Sequence, residues 1–223
     1  CFDVDYPETG RVAACCWGKK KNEITGAKEM LKELFSLDKY KRWFELITFD
    51  AMFMVYPLTK MIDEAGRYFL APIKANQPDM YRDALSLADE RIAFCSPDYT
   101  SPIEHDGHTY KQFEIYLAPE FAGWETSART WSHLTQLIIV KLIKFDRVSG
   151  RGEDARLTKR EMGESIRVYA TNLPHGRLSA EQTLAVVRSH WSIENECFNS
   201  MDLQFNEDSL KVFVRGEGRP VHA

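Results

Sequence analysis

The sequence has no apolar run that approaches the length of a membrane-spanning helix. Such a helix needs about 20 consecutive apolar residues. The most apolar stretch, Leu137 to Val140, is followed at once by Lys141. It therefore predicts a buried strand, and we expect no membrane partner. The opening residues also lack the pattern of a secretory signal, so we expect the protein in the cytoplasm.

Cysteine pairs with metal-binding or redox spacing are also missing. The chain has five cysteines, an odd number, and no C-x-x-C pair. This pattern argues against a disulfide scaffold and against a zinc finger. We expect reduced thiols.

The chain has no excess of basic residues. Its formal net charge is −4, whereas a domain that binds nucleic acid is usually basic. Overall charge thus argues against a nucleic-acid partner, although local basic patches can still bind phosphates.

With 223 residues, 44% hydrophobic and 28% charged, the composition is that of a globular protein with a substantial core.

Short β-favouring runs alternate with helical patterns in the first part of the chain. Apolar residues at helical spacing predict a helix from Ala27 to Leu37, and another from Pro57 to Ala65 that ends at Gly66. Leu46 to Asp50 and Tyr68 to Lys74 predict strands. This alternation favours an α/β fold with parallel strands.

The pattern changes after Tyr99. Extended, β-favouring sequence dominates from Tyr99 to Phe145, and Ser165 to Thr171 predicts a further strand. We expect a β-rich insertion within the α/β fold. Ser179 followed three residues later by Gln182 forms a capping box, which predicts the start of the last helix.

Four side chains of the last predicted helix share one face: Val187, Trp191, Glu194 and Phe198. Three are typical core residues, so the carboxylate of Glu194 lies at or near the buried side and needs a partner. That partner is a metal ion, a hydrogen-bond network or a cation, with Arg188, His190 or a remote Lys as the cation, and the spacing leaves all three open.

Asp50 is a second candidate for a functional carboxylate. It ends a predicted strand, and ligands of open α/β sheets bind beyond the carboxyl ends of strands. An N-cap or turn aspartate explains the same pattern equally well. Converging carboxylates can hold Mg²⁺, and a pair of such ions supports phosphodiester displacement.

The segment from Arg188 to Asn195, followed by Asp202 to Asp208, closely resembles the C-terminal signature of bacterial insertion-sequence transposases with a DDE domain. Three further stretches resemble the same family in the same order: Lys21 to Thr25, Thr48 to Ala51, and Lys74 to Pro78. Each piece is short, but they occur in the family's order, and the resemblance extends over nearly the whole chain.

The resemblance implies a ribonuclease-H-like α/β fold, a mixed sheet flanked by helices, with a β-rich insertion before the last catalytic helix. We expect residues 1–98 and 161–212 to form the catalytic domain, residues 99–160 the insertion, and residues 213–223 a tail. By resemblance, Asp50 and Glu194 are catalytic metal ligands for Mg²⁺ or Mn²⁺.

The chain departs from the family pattern in three respects. The first catalytic aspartate has no match, which predicts that an N-terminal part of a longer protein is missing. Related enzymes have Tyr, Arg and Lys near the glutamate, where this chain has Val187, His190 and Met201. The residues after Asp208 no longer match. The alternatives are therefore a non-catalytic DNA-binding remnant or another ribonuclease-H-like nuclease.

The implied partner is DNA, namely transposon ends and target, bound by a homodimer in the bacterial cytoplasm and associated with the nucleoid. Lys74, Asn76 and Gln77 follow a strand end and have side chains suited to DNA contacts, although an exposed loop explains them as well. The signature adds four further predicted DNA contacts: Arg188, His190, Trp191 and Asn195.

Overall fold

The computed structural model describes residues 23–37, 44–105, 109–126, 129–150 and 156–192, together with the backbone of 212–213 and 220–221. Its helices are α1 (Glu23–Ser36), α2 (Tyr56–Glu64), α3 (Pro78–Phe94) and α4 (Ala180–Ser192). The main strands are β1 (Leu46–Thr48), β2 (Tyr68–Pro72), β5 (Tyr110–Ala118), β6 (Gln136–Ser149) and β7 (Arg156–Thr171). The short strands are β3 (Tyr99–Thr100), β4 (Glu104–His105), β8 (Val212–Phe213) and β9 (Pro220–Val221).

Strands β1 and β2 are parallel neighbours, with Leu46 paired to Tyr68, and helix α2 connects them. Gly66 ends this helix in the left-handed conformation (φ 66°). The amide of Gly66 donates to the carbonyl of Asp63, and the amide of Arg67 donates to that of Ile62. These two bonds form a Schellman motif, which confirms the predicted helix stop and the predicted parallel pair.

Seven strands form one mixed sheet in the order β1-β2-β7-β6-β5-β3, with β4 paired to β5. Strands β5, β6 and β7 are antiparallel, and β7 joins β2 through the pair Ala71 and Ala170. The predicted strand from Leu137 to Val140 is confirmed as a buried part of β6.

Helices cover both faces of the sheet. One buried cluster includes side chains of α1, α2 and α3, with Leu31, Leu58 and Met80 as examples. The opposite cluster includes Leu184 and Val187 of α4. Ser179 and Gln182 exchange the two hydrogen bonds of a capping box at the start of α4 (2.9 and 3.1 Å), as predicted.

The α/β class, with a mixed sheet flanked by helices, is confirmed. The sheet continues through the predicted insertion, because β7 contains both residue 160 and residue 161 and pairs with β2 and β6. The boundaries at 98/99, 160/161 and 212/213 stay predictions. Within the described ranges, no helix is long and apolar enough to cross a membrane.

Candidate metal and DNA site

Asp50 lies just beyond the end of β1, at the carboxyl edge of the parallel pair. Its Oδ1 accepts a hydrogen bond from the Ala51 amide (2.6 Å) and caps the 3-10 helix Ala51–Phe53. The same oxygen accepts from Nζ of Lys74 at 3.0 Å. Asp50 therefore has the N-cap position that the sequence left open, and it already binds a cationic group.

The three residues predicted after β2 meet the segment that follows Asp50. Parallel strands end at the same edge, so Lys74 reaches Asp50 directly. The side-chain amide of Asn76 donates to the Ala51 carbonyl (2.6 Å), and that of Gln77 donates to the Met54 carbonyl (2.9 Å). These two amides hold the turn after β1 in place, and their DNA contacts stay a prediction.

Asp50 has a lowered pKa. Partial burial raises the pKa of its carboxyl group, but this effect is outweighed by the hydrogen bonds from Lys74 and the Ala51 amide and by the charges of Lys74 and His190. The side chain is therefore a carboxylate at neutral pH, which is the form that binds a hard divalent cation.

Val187 of α4 belongs to the same apolar cluster as Leu46 of β1 and Leu70 of β2. His190 is buried, and its charge lowers the pKa of Asp50. Val187 is fully buried, and Nε1 of Trp191 donates to the hydroxyl of Tyr169 at 2.9 Å. The predicted sheet-facing side of the helix is confirmed for Val187 and Trp191. Glu194, Asn195 and Phe198 lie outside the described residues.

Arg188 has a partner that the sequence did not indicate. Its guanidinium donates two hydrogen bonds to the carboxylate of Glu104 in β4 (2.6 and 2.8 Å) and lies over the ring of Phe113, with 5.0 Å to the ring centroid. This ion pair joins α4 to the strand region, and the DNA contact predicted for Arg188 stays a prediction. No local signal connects residues 84 positions apart.

A cavity of about 200 Å³ opens beside Trp191 on the α4 face of the sheet. Its lining comprises Lys111, Phe113, Val140, Leu142, Ser165, Arg167 and Trp191. Phe113 and Val140 are buried, whereas Arg167 is exposed and its guanidinium carbon lies 4.7 Å from the centre of the Trp191 ring. Lys111 and Arg167 were not predicted as site residues, because alternation along a strand does not reveal which neighbouring strand shares its face.

The described side chains do not complete a metal site by themselves. Among them, no group of three or more His, Cys, Asp or Glu could hold an ion. Asp50 supplies one carboxylate of the kind that Mg²⁺ prefers, and its contact with Lys74 shows that this position attracts a positive charge. Asp50 thus fits one ligand of a divalent-cation site.

Comparison with known proteins identifies the family of the chain. The sequence profile described as "Transposase DDE domain" matches residues 15–210. The chain is 28% identical over 203 residues to YbfL of Escherichia coli (strain K12), a match that covers 87% of this chain and 47% of YbfL. It is also similar to two proteins whose names contain the word transposase. One is YncI of Escherichia coli O157:H7, with 24% identity over 86% of this chain and 45% of YncI. The other is the H repeat-associated YhhI of Escherichia coli (strain K12), with 25% identity over 87% of this chain and 47% of YhhI.

The chain spans about half the length of the curated relatives it matches. The family profile covers far more than half of the chain, and the mixed sheet flanked by helices is the fold that the motifs predicted. The chain therefore belongs to the bacterial insertion-sequence transposases with a DDE domain.

Proposed function

We propose that this chain is the catalytic region of an enzyme that cuts and joins DNA strands at transposon ends, with Asp50 and Glu194 as ligands of Mg²⁺ or Mn²⁺. The observation that carries this proposal is the position of Asp50. It lies where two parallel strands end, and its side chain is ionised at neutral pH. The charge of His190, in the last turn of α4, contributes to its lowered pKa. Glu194 follows His190 by four residues in the sequence.

The side chains at and around Asp50 have separate roles in this proposal. Asp50 holds the ion through its carboxylate, while Asn76 and Gln77 keep the turn beside it in one conformation. Lys74 occupies the cation position at Asp50; with an ion bound there, its ammonium group would be available to a DNA phosphate. When bound, a pair of divalent ions activates the attacking oxygen and stabilises the leaving oxygen.

In this proposal, positive groups on the α4 face bind the DNA. Lys111 and Arg167 lie at the cavity whose wall includes Trp191. Lys and Arg side chains position a duplex through its phosphates. For the full-length protein we expect a dimer that acts on paired transposon ends in the bacterial cytoplasm.

The metal assignment is tested by titrating the chain with Mn²⁺ and observing the free ion by electron paramagnetic resonance. Asp50→Asn and Glu194→Gln should each weaken Mn²⁺ binding at least tenfold, because each removes a charged ligand. Asp89→Asn is the matched control, since it removes an exposed carboxylate of α3. Equal binding by the wild type, Asp50→Asn and Glu194→Gln would contradict the proposed site.

A further inference from the structure

The sheet-facing side of α4 carries one charged residue among apolar ones. Leu184, Val187 and Trp191 follow one another at intervals of three and four residues, and Leu184 and Val187 are buried in the cluster on this face. Arg188 follows Leu184 by four positions and precedes Trp191 by three, so it belongs to the same side of the helix. A cation at the border of an apolar surface needs a partner, and Glu104 of β4 supplies it.

The pair of Arg188 and Glu104 fixes an orientation as well as a distance. Nη1 and Nη2 of Arg188 donate to different carboxylate oxygens of Glu104, at 2.6 and 2.8 Å. The guanidinium also lies over the ring of Phe113, 5.0 Å from its centre. A bidentate pair of planar groups is specific in its geometry, whereas apolar contacts are non-directional. The pair therefore resists rotation of α4 about its own axis, which the apolar contacts of Leu184 and Val187 do not.

Two further hydrogen bonds hold α4 at other points along its length. Near the start of the helix, Glu181 accepts from the hydroxyl of Tyr99 in β3 (3.0 Å). Near its end, Nε1 of Trp191 donates to the hydroxyl of Tyr169 in β7 (2.9 Å). Arg188 and Trp191 are about 4.5 Å apart along the helix axis, while Glu181 lies about two turns before Arg188. The C-terminal part of α4 thus has two directional contacts, which reach different strands of the sheet.

The end of α4 limits where the second proposed metal ligand can lie. Glu194 follows Ser192, the last residue of α4, by two positions. Two residues of chain extend at most about 7 Å, so a displaced helix end displaces Glu194 with it. Side chains lie about 5–6 Å from a helix axis, and a rotation of about 20° therefore moves them by about 2 Å. This is as long as a bond between Mg²⁺ and an oxygen ligand, about 2.1 Å.

We propose that Glu104 is a positioning residue for the metal site, because through Arg188 it sets the rotation of the C-terminal part of α4 and thereby the position of the Glu194 carboxylate. The proposal rests on the proposed function, in which Glu194 is a metal ligand. Glu104 acts only through Arg188 and does not bind the ion itself. It lies within residues 99–160, the expected insertion, and so gives this segment a part in completing the metal site.

The test is a double-mutant cycle of Glu104→Gln and Arg188→Gln, in which the complete chain is titrated with Mn²⁺ and the free ion is observed by electron paramagnetic resonance. Each single variant should weaken Mn²⁺ binding about tenfold, the lower end of the effect of residues that orient metal ligands. The double variant should bind no more weakly than either single variant, because the two side chains act as one unit. Unchanged affinity in Glu104→Gln would overturn the proposal, and so would losses that add in the double variant.

Tyr99→Phe is the matched control. It removes the other hydrogen bond between α4 and a short strand, about two turns before Arg188, and should bind Mn²⁺ like the wild type. A tenfold loss in this control as well would show that any loosening of the helix has the same effect, and would overturn the specific role of Glu104.

Each variant is titrated at a temperature at which circular dichroism shows it to be folded. The side chains of Arg188 and Glu104 are 39% and 33% exposed, so neither substitution leaves a fully buried charge. If Glu104→Gln does not fold, Glu104→Asp replaces it. This variant keeps the charge but is one methylene shorter, and it should also weaken Mn²⁺ binding; wild-type affinity in Glu104→Asp would then overturn the proposal.

A metal-free measurement separates this proposal from the proposed function. The indole N–H resonance of Trp191, assigned with Trp191→Phe, reports the hydrogen bond to Tyr169 in ¹H–¹⁵N spectra. Glu104→Gln should shift this resonance and Tyr99→Phe should not, and an unshifted resonance in Glu104→Gln would overturn the proposal.

The two failures have different signatures. Loss of Mn²⁺ binding in Asp50→Asn and Glu194→Gln, with wild-type binding in Glu104→Gln, would overturn the positioning role and leave the proposed function standing. Equal Mn²⁺ binding by the wild type, Asp50→Asn and Glu194→Gln would overturn the proposed function, and with it the positioning of Glu194 as a ligand, even where the Trp191 resonance shifts.

Discussion

Substitutions of Asp50 distinguish its structural role, as a helix cap and ion-pair partner, from its proposed role as a metal ligand. Its Oδ1 caps the 3-10 helix through the Ala51 amide and also binds Lys74. Asn keeps a side-chain oxygen that can cap, but it loses the negative charge. Ala loses both. The two substitutions therefore affect stability by different amounts, although both remove the proposed metal ligand.

The expected losses in free energy of unfolding follow from these two contacts. Removal of a capping side chain costs about 1 kcal/mol. The ion pair with Lys74 is exposed on both sides, with relative side-chain exposures of 61% and 44%, and such pairs contribute about 0–1 kcal/mol. Asp50→Asn should thus lower the free energy of unfolding by about 0–1 kcal/mol, and Asp50→Ala by about 1–2 kcal/mol.

Urea denaturation followed by tryptophan fluorescence measures this difference, since the chain has five tryptophans. Mn²⁺ titration of the same samples measures the loss of metal affinity. We expect two variants of unequal stability and equally poor metal binding. If Asp50→Asn is as unstable as Asp50→Ala, the capping argument is wrong. If Asp50→Asn binds Mn²⁺ like the wild type, the ligand argument is wrong.

Three further variants test other contacts. Lys74→Ala should raise the Mn²⁺ affinity in the same titration, because the ammonium group 3.0 Å from Asp50 competes with the ion; a lower affinity would contradict this. Gly163→Ala should reduce stability by about 1–3 kcal/mol, since its Cβ would lie 2.7 Å from a neighbouring side-chain carbon. Gly26→Ala, a helical position with no atom within 4 Å, is the control and should stabilise by about 0.5–1 kcal/mol. Burial lowers the pKa of His133, so the unfolded chain binds its proton more readily and stability should fall as the pH drops below about 6.5. Thermal unfolding at several pH values should show a weaker decline for His133→Gln, and parallel declines would refute this.

The sequence could predict the features that depend on residues near each other in the chain. Gly66 ends α2 because only a left-handed residue closes the Schellman motif there. Ser179 and Gln182 form their capping box within one helical turn. The position of Asp50 after a strand was equally local. Its two explanations, cap and ligand, could not be separated, because both need the same short pattern.

Several features of the site came from contacts that no local pattern contains. The partner of Arg188 is Glu104, on a short strand of the antiparallel sheet. The cavity joins Lys111 of β5 to Arg167 of β7. Both depend on the order of strands in the sheet and on the register of their pairing, which a sequence pattern of period two does not specify.

The sequence by itself thus predicted helices α1, α2 and α4, the main strands, the capping residues, the family motifs and the candidate acids, but it did not predict α3. It predicted these features because backbone conformation and apolar periodicity are encoded over a few neighbouring residues. Only the tertiary structure decided that Asp50 binds Lys74, that Arg188 pairs with Glu104, and that β7 joins the parallel pair to the antiparallel strands. Those outcomes require strands distant in sequence to pair in one register, and the packing of the whole sheet selects that register.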